Sequence, residues 1–282
     1  MAATWDPPPR TLFFDVFGTC VNWRKTVTQT LHDAAHASLN SPTASLSTRI
    51  RLAASEMTLP DWEALAQEWR NSYLAFTRSQ ATDPSAGFKT VDAHHLDSLR
   101  YILISRGLVF AREAGDPTPD ALAHDGSLWD EAQLRELALV WHFLEPWEDT
   151  NPGLVELNRS FGTCTLTNGN MALLRDLRDF ADMPFTRLFS AEMFAAYKPN
   201  AAVYEGAARE VGCQVGECVM VAAHLGDLKA AKGVGMRTVF VERAGEEREG
   251  VRWEECKGFV DVWVAEGEGG FVGLAGKLGA VG

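Results

Sequence analysis

Residues 11–24, TLFFDVFGTCVNWR, join a short run of apolar side chains to a carboxylate and then to a glycine. The run Leu12 to Phe14 is typical of a strand that is buried on both faces. Asp15 ends the run, where an unpaired buried carboxylate would cost folding free energy. Gly18 allows the chain to turn tightly after it. The stretch therefore predicts a buried strand whose carboxyl end holds a carboxylate that another group pairs or uses.

The bulk composition indicates a soluble globular protein and leaves small anionic substrates possible. The chain has 282 residues, is 46% hydrophobic and 23% charged, and carries a formal net charge of -12. Nucleic-acid binding requires a basic face, so the acidic balance argues against a nucleic-acid partner. No apolar run approaches the roughly 18 residues that a membrane helix needs, and the first ten residues resemble a short flexible tail rather than a signal peptide.

Cysteine usage predicts a reducing compartment. The five cysteines are an odd number without the spacing of a disulfide framework, and two of them lie inside apolar runs. We therefore expect a cytoplasmic protein with free thiols. The cysteines are Cys20, Cys164, Cys213, Cys218 and Cys256.

The order of apolar runs and helical segments predicts an α/β fold. Strands are expected at 11–15, 163–167, 187–190, 218–223, 237–241 and 259–264. Helices are expected at 24–38, 61–79, 92–106 and 128–143, with Asp61 and Asp92 as N-caps. The helical block follows the first strand directly. We predict a Rossmann-like parallel-sheet core, in residues 1–20 and 145–282, with a helical cap subdomain inserted at 21–144.

Polar clusters follow several of the predicted strands. Asp15 to Thr19 follow the first strand, residues 167–170 follow the second, and His224 to Asp227 follow the fourth. Lys198 and Pro199 begin the helix before that fourth strand. Ligands of such sheets bind at the carboxyl ends of the strands, so these clusters predict one site. The charged segment 242–257, in contrast, is predicted to be a solvated surface loop.

These clusters, read in order, resemble the four motifs of the haloacid dehalogenase superfamily. The motifs are FDVFGT (14–19), LTNGN (166–170), YKPNAAVY (197–204) and AAHLGD (222–227). The resemblance covers residues 11 to about 275, and the L-2-haloacid dehalogenase (type II) branch is the most similar. It implies the α/β core with an inserted cap that the order of elements also predicts.

The chemistry of the motifs favours this branch. Phosphatases of the superfamily typically carry a second Asp two positions after the nucleophile, which protonates an alkoxide leaving group, although some members that act on phosphorus lack it. Phe17 occupies that position and transfers no proton. A halide leaves without a proton, so the missing acid fits carbon–halogen cleavage. The fourth motif has one carboxylate, Asp227, where metal-dependent members often have a pair that helps to hold magnesium.

The resemblance implies a catalytic role for four residues. Asp15 is the nucleophile, which attacks the halogen-bearing carbon and forms an ester. Thr19 holds its carboxylate, and Lys198 keeps that carboxylate ionised. Asp227 orients the water that hydrolyses the ester. The reaction converts short L-2-haloacids to D-2-hydroxy acids with inversion and without a cofactor.

The resemblance also implies a set of binding residues. Arg70, in the predicted cap helix, receives the departing halide, and Asn168 adds an amide donor. Thr167 contacts the substrate carboxylate, and Tyr204 lines the site. Two further residues, Phe17 and His224, line the pocket at positions where the better-known bacterial members have other side chains. Those members have serine and asparagine where this chain has Ala222 and His224, so His224 acts either as a base or as a lining residue.

Two alternatives use the same scaffold. One is a magnesium-dependent hydrolase of phosphate esters or phosphonates, for which Mg²⁺ would be the cofactor. The other is a non-catalytic protein that binds a small anion. In the leading interpretation the partner is a small anionic 2-haloacid, and the resemblance implies a homodimer.

Overall fold

The computed structural model describes residues 5–83, 87–110 and 126–280. The start of the predicted tail (1–4) and part of the predicted insertion (111–125) lie outside the described residues. The chain forms two compact units. The sheet unit comprises Met1–Asn22, Thr77–Phe88 and Leu144–Gly282, and the helical unit comprises Trp23–Phe76 and Lys89–Phe143.

The sheet unit is built on five parallel strands in the order β2-β1-β3-β4-β5. The strands are β1 (Thr11–Phe14), β2 (Gly162–Thr165), β3 (Cys218–Ala222), β4 (Arg237–Val241) and β5 (Val262–Val264). In the central register Phe13 lies opposite Cys164 on one side and Met220 on the other. All four residues of β1 are buried, which agrees with its apolar sequence and its place between two other strands of the sheet.

Helices in the sheet unit follow the strands. They are α6 (Thr150–Leu157), α7 (Met171–Phe180), α8 (Ala201–Glu210), α9 (Leu225–Gly233), α10 (Trp253–Cys256) and α11 (Gly270–Lys277). The first and last of these pack closely, because Gly153 has no side chain to overlap the backbone and Cβ of Phe271. Asp149, before α6, accepts a hydrogen bond from the backbone N–H of Phe271 at 2.7 Å. The start of α6 and the start of α11 are thereby joined.

The helical unit has an aromatic core. The unit contains α1 (Trp23–Asn40), α2 (Thr48–Glu56), the greater part of α3 (Leu59–Thr82), α4 (Val91–Ser105) and α5 (Glu131–Ala138), followed by a 3₁₀ turn at Leu139–His142. Trp141 stacks on Trp23 with centroids 5.9 Å apart and contacts Trp69 edge-on at 5.4 Å. The indole N–H of Trp69 donates to the carbonyl of His95 at 3.0 Å, which satisfies its buried donor.

The structure confirms the predicted α/β fold with its parallel sheet, but one predicted strand is wrong. Segment 187–190 makes only isolated bridges, between Arg187 and Cys164 and between Ser190 and Thr167. The hydroxyl of Thr165 instead accepts from the N–H of Phe189 at 2.8 Å and donates to its carbonyl at 3.1 Å. A side chain thus replaces part of the ladder, and no continuous strand forms there.

The two predicted N-caps are also wrong. Helix α3 begins at Leu59, and Asp61 bonds back to Thr58, accepting from its N–H at 2.8 Å and its hydroxyl at 2.6 Å. The N-cap of α4 is Thr90, while the carboxylate of Asp92 lies 3.1 Å from the ring of His142. In both helices the aspartate occupies the first turn, where its negative charge interacts favourably with the helix dipole.

Across the described ranges, no helix combines the length and apolar character required to cross a membrane.

Buried His95 generates a prediction about stability. The residue is 1% exposed, and neither ring nitrogen has a hydrogen-bond partner among the described residues. Its ring stacks on Trp141 at 4.5 Å. Burial, with a smaller contribution from the charges of His94 and Arg70, holds the pKa of His95 well below 6.5. The folded protein therefore keeps this imidazole neutral at pH values where the unfolded chain binds a proton.

His95→Phe is expected to raise the free energy of unfolding at pH 7 by about 1–2 kcal/mol, because two unsatisfied buried nitrogens are removed. The contribution of His95 to the stability of the parent protein should fall between pH 7 and pH 5, since the unfolded state protonates this imidazole there. Over this pH range the variant should lose less stability than the parent. His94, whose pKa is lowered to about 4 chiefly by burial, contributes equally to both proteins. Urea unfolding at pH 7 and pH 5.5 measures the unfolding free energy of both proteins. Equal losses of stability in the parent and the variant would contradict the prediction.

Candidate active site

A tight turn after β1 presents Asp15 at the carboxyl edge of the sheet. The backbone N–H of Asp15 still donates to Val221 on β3 at 2.9 Å, so the residue continues the strand. The turn closes where the N–H of Cys20 donates to Val16 at 2.9 Å. Gly18 supplies the positive φ of 84° that this turn needs. The carboxylate is consequently fixed where a parallel sheet binds its ligands.

Lys198 joins Asp15 to a second carboxylate. Its ammonium nitrogen lies 2.9 Å from Oδ1 of Asp15 and 2.5 Å from Oδ2 of Asp227, in the first turn of α9. The side chain of Asn168 holds the backbone of Lys198 from both sides. Its Oδ1 accepts from the Lys198 N–H at 2.8 Å, and its amide donates to the Lys198 carbonyl at 3.2 Å. The second and third motifs are thus joined through main-chain contacts of the lysine.

The charges in this cluster shift one another's pKa values. Burial opposes ionisation of Asp15, but the charge of Lys198 and the contact with His224 outweigh it and hold the pKa of Asp15 well below its usual range. Burial likewise disfavours the charged lysine, yet the two carboxylates hold the pKa of Lys198 above its ordinary value. For Asp227, burial and the charge of Asp15 raise the pKa. The cluster therefore keeps Asp15 as a carboxylate at neutral pH.

Both oxygens of Asp227 accept short hydrogen bonds. Lys198 donates to Oδ2, and the hydroxyl of Tyr204 on α8 donates to Oδ1 at 2.5 Å. Tyr204 is fully buried, and burial together with the charge of Asp227 raises the pKa of its phenol well above 10. Tyr204 is therefore a hydrogen-bond donor that holds Asp227 in place.

Oδ2 of Asp15 has two further partners. The hydroxyl of Thr19 donates to it at 2.9 Å and accepts from the N–H of Ala223 at 2.9 Å. Nδ1 of His224 lies 3.0 Å from the same oxygen. On the other side of the imidazole ring, Nε2 of His224 lies 3.0 Å from Oε2 of Glu246. The structure thus places His224 between two carboxylates.

The segment after β4 belongs to the site, and the prediction of a solvated loop at 242–257 is wrong for three of its residues. The side chain of Glu246 is 5% exposed and faces His224. Glu247 accepts from the N–H of Leu225 at 2.7 Å, at the start of α9. Arg243 donates to the carbonyl of Thr19 at 3.0 Å and binds the carboxylate of Asp149 with two nitrogens at 2.5 and 2.8 Å. The sequence contained one signal of their place in the site, because these residues follow a predicted strand whose carboxyl end lies at the same edge of the sheet.

Two predicted binding residues lie in or next to the turn of residues 15–20, which is called the nucleophile turn after the predicted role of Asp15. Phe17 is 2% exposed and lies against Gly169, where an added Cβ would be 3.4 Å from the phenylalanine ring. The hydroxyl of Thr167 accepts from the N–H of Gly169 at 3.2 Å. The structure therefore gathers the core residues of the predicted site around one turn. They are Asp15, Phe17, Thr19, Thr167, Asn168, Lys198, Tyr204, His224 and Asp227.

The remaining predicted residue, Arg70, belongs to the helical unit. It lies on α3 and is 3% exposed. Its guanidinium lies over the ring of Tyr73, 4.7 Å from the centroid, and 5.5 Å from that of Trp23. A buried cation among aromatic faces is weakly solvated and suits an anion ligand.

The two aspartates of the described cluster share one cation. Within the described ranges, no three His, Cys, Asp or Glu side chains are arranged to hold a metal ion. The charge of Asp15 and Asp227 is offset instead by the ammonium of Lys198, which bonds to both.

Comparison with known proteins identifies the family of the chain. A family model of haloacid dehalogenase-like hydrolases matches residues 9–235. The chain belongs to this family of hydrolases. No curated protein matches the chain significantly.

Solved structures of L-2-haloacid dehalogenases are similar over nearly the whole chain. The defluorinating enzyme Rha0230 is 28% identical with a TM-score of 0.74, covering 96% of this chain and 95% of that one. PA0810 is 26% identical with a TM-score of 0.71, covering 96% and 99%. The Xanthobacter autotrophicus enzyme with chloropropionic acid covalently bound is 17% identical, with a TM-score of 0.68 and coverage of 97% and 100%, and shows the shared fold.

The close approach of Gly18 to Glu246 is testable. A Cβ at Gly18 would overlap the Glu246 carboxylate, and the φ of 84° is strained for alanine. Gly18→Ala is expected to cost about 2–3 kcal/mol of unfolding free energy, from about 1 kcal/mol of strain plus the lost hydrogen bond to His224. Gly212→Ala is the matched control, since Gly212 has a φ of 67° and no atom within 4 Å of the added Cβ. Equal losses in urea unfolding would show that Glu246 is not held at Gly18.

Proposed function

We propose that the protein is a hydrolytic dehalogenase that converts short L-2-haloacids to D-2-hydroxy acids, without a metal, through an ester on Asp15. The observation that carries this proposal is the ionised, buried carboxylate of Asp15, bonded to Lys198 and Thr19, in a motif where Phe17 replaces the proton donor of the phosphatases. Such a carboxylate is a competent nucleophile. Position 17 supplies no acid to a leaving group, and a halide requires none.

The first step forms the ester. A carboxylate oxygen of Asp15 attacks the halogen-bearing carbon from the side opposite the halogen, and the carbon–halogen bond breaks with its electron pair on the halide. Arg70 and the remaining amide hydrogen of Asn168 bind the halide, and Thr167 binds the substrate carboxylate. Phe17 and Tyr204 line the site. Positively charged and dipolar groups that are already in place stabilise the charge that develops on the halide.

Charge balance supports a monoanionic substrate. In the proposed site, the two negative charges of Asp15 and Asp227 are balanced by Lys198, which bonds to both, and by Arg70, the proposed halide ligand. The contact between His224 and Glu246 adds no net charge when the imidazole is protonated. The site therefore accepts one carboxylate without needing a divalent cation to offset repulsion.

The second step hydrolyses the ester at the acyl carbon of Asp15. Displacement at the substrate carbon inverts that centre, while attack on the acyl carbon leaves it unchanged. An L substrate therefore gives a D product. The similarity to two L-2-haloacid dehalogenases that are 28% and 26% identical supports the same stereochemistry. Homodimeric assembly, implied by the family resemblance, and a cytoplasmic location, inferred from the cysteines, stay predictions.

Asp15→Asn is expected to lower halide release from L-2-chloropropionate by at least about 10³-fold, because the amide is a far weaker nucleophile. The parent protein should release halide from the L but not the D enantiomer, and a chelator should not change its rate. Ion chromatography of chloride measures all of these rates. Release from the Asp15→Asn protein would contradict the nucleophile assignment. Magnesium-dependent turnover of a phosphate ester, with no halide release, would support the phosphorus-hydrolase alternative.

Arg70→Gln is expected to lower kcat by about 10²-fold or more, because the departing halide loses a cation. The loss should be larger for 2-chloropropionate than for 2-bromopropionate, since chloride is the poorer leaving group and depends more on this stabilisation. Arg78→Gln is the matched control, an exposed arginine on the same helix. Equal losses for both halogens would indicate a structural role for Arg70.

A further inference from the structure

The imidazole of His224 lies between the nucleophile and a second, buried carboxylate. Nδ1 is 3.0 Å from Oδ2 of Asp15, and Nε2 is 3.0 Å from Oε2 of Glu246. The side chain of Glu246 is only 5% exposed, and that of His224 is 24% exposed. The chain therefore forms a linear Asp15–His224–Glu246 array whose middle member is accessible from solvent.

Proton counting defines the resting state of this array. An ionised carboxylate only accepts hydrogen bonds, so each ring nitrogen that faces one carries a proton. In water the pKa of histidine lies about 2 units above that of glutamic acid. The proton between Nε2 of His224 and the carboxylate of Glu246 therefore lies on the ring. His224 is thus an imidazolium in the free protein, donating to Asp15 and to Glu246.

Glu246 is held in place by its own segment. Its N–H donates to the carbonyl of Arg243 at 3.2 Å, and Arg243 is fixed by Asp149 and by the carbonyl of Thr19. The next residue, Glu247, binds the start of α9 beside His224. The carboxylate of Glu246 also packs against the Cα of Gly18 in the nucleophile turn. The distance between Glu246 and His224 is therefore set by the backbone on both sides.

We infer that His224 is the general base of ester hydrolysis and that Glu246 is its positioning residue. The inference rests on the proposed function. The family resemblance gives this role to Asp227, but both oxygens of Asp227 already accept hydrogen bonds from Lys198 and Tyr204. His224, in contrast, loses the charged partner of Nδ1 when Asp15 becomes an ester.

The proton balance of the cycle is closed. Ester formation neutralises Asp15, and His224 then releases its Nδ1 proton to solvent while Nε2–H stays bonded to Glu246. The free Nδ1 takes a proton from water, and the hydroxide forms a bond to the acyl carbon of Asp15. As the acyl C–O bond breaks, His224 returns that proton to the leaving alkoxide oxygen. The new carboxylic acid of Asp15 gives its proton to Nδ1, which restores the resting state with one net proton and one halide released.

The test separates the two half-reactions of the full-length protein. Glu246→Gln keeps the shape of the side chain but cannot stabilise an imidazolium. With L-2-chloropropionate, rapid-quench measurements should show about one chloride released per active site at a rate near that of the parent. Steady-state turnover should then be about 10²-fold slower or more. Intact-protein mass spectrometry should detect the accumulated ester on Asp15.

Several variants complete the experiment. His224→Asn should show the same burst of chloride release and the same accumulated ester on Asp15. This variant replaces Glu246→Gln in the experiment if Glu246→Gln does not fold. Glu246→Asp, which retains a carboxylate, should recover part of the steady-state rate. Glu249→Gln, an exposed glutamate of the same segment, should turn over like the parent. Circular dichroism confirms the fold of each variant.

Three outcomes would overturn the inference. The first is parent-like steady-state turnover in Glu246→Gln and His224→Asn. The second is a slowed burst of chloride without accumulated ester, which would mean that His224 and Glu246 act in ester formation rather than in ester hydrolysis. The third is ester accumulation in an Asp227→Asn variant only, which would return the base to Asp227. Absence of halide release from the parent protein would instead refute the proposed function, and the base assignment with it.

Discussion

The ammonium of Lys198 between the carboxylates of Asp15 and Asp227 is the interaction on which the rest of the site depends. Buried charges are costly unless they are paired and hydrogen-bonded, and removing one member leaves another uncompensated. Here each member has additional partners, Thr19 on Asp15 and Tyr204 on Asp227. The parallel sheet makes this arrangement possible, because it brings the ends of β1 and β3 side by side.

A second ion pair maintains the turn that carries Asp15. Arg243 binds Asp149 with two nitrogens, and its third nitrogen donates to the carbonyl of Thr19. Its guanidinium also lies 5.3 Å from the centroid of Trp147 and 5.1 Å from that of Phe271. The planar guanidinium has enough donors to make all three bonds, which an ammonium could not do with the same geometry. The segment after β4, the start of α6 and the nucleophile turn are thus joined through one side chain.

The sequence predicted the parts of this molecule that local patterns encode. Apolar runs located the five strands, and the rule that ligands bind at carboxyl strand ends placed Asp15 and Asp227 at one edge. Glu246 was missed because a charged segment rich in glutamate has the same local pattern whether its side chains face solvent or a histidine. Segment 187–190 has strand-like composition, but its place beside Thr165 is a tertiary effect that no local pattern reports.

The proton requirement of the proposed reaction explains two residues together. Loss of a halide needs no proton, so an acid at position 17 would only add a titratable group to a site that must keep Asp15 ionised. Water, in contrast, becomes a nucleophile only when a base accepts its proton, and this demand arises after the halide has left. A histidine bonded to Asp15 meets that timing, because formation of the ester is the event that removes its counter-ion. The phenylalanine at position 17 and the histidine at position 224 therefore follow from the same leaving group.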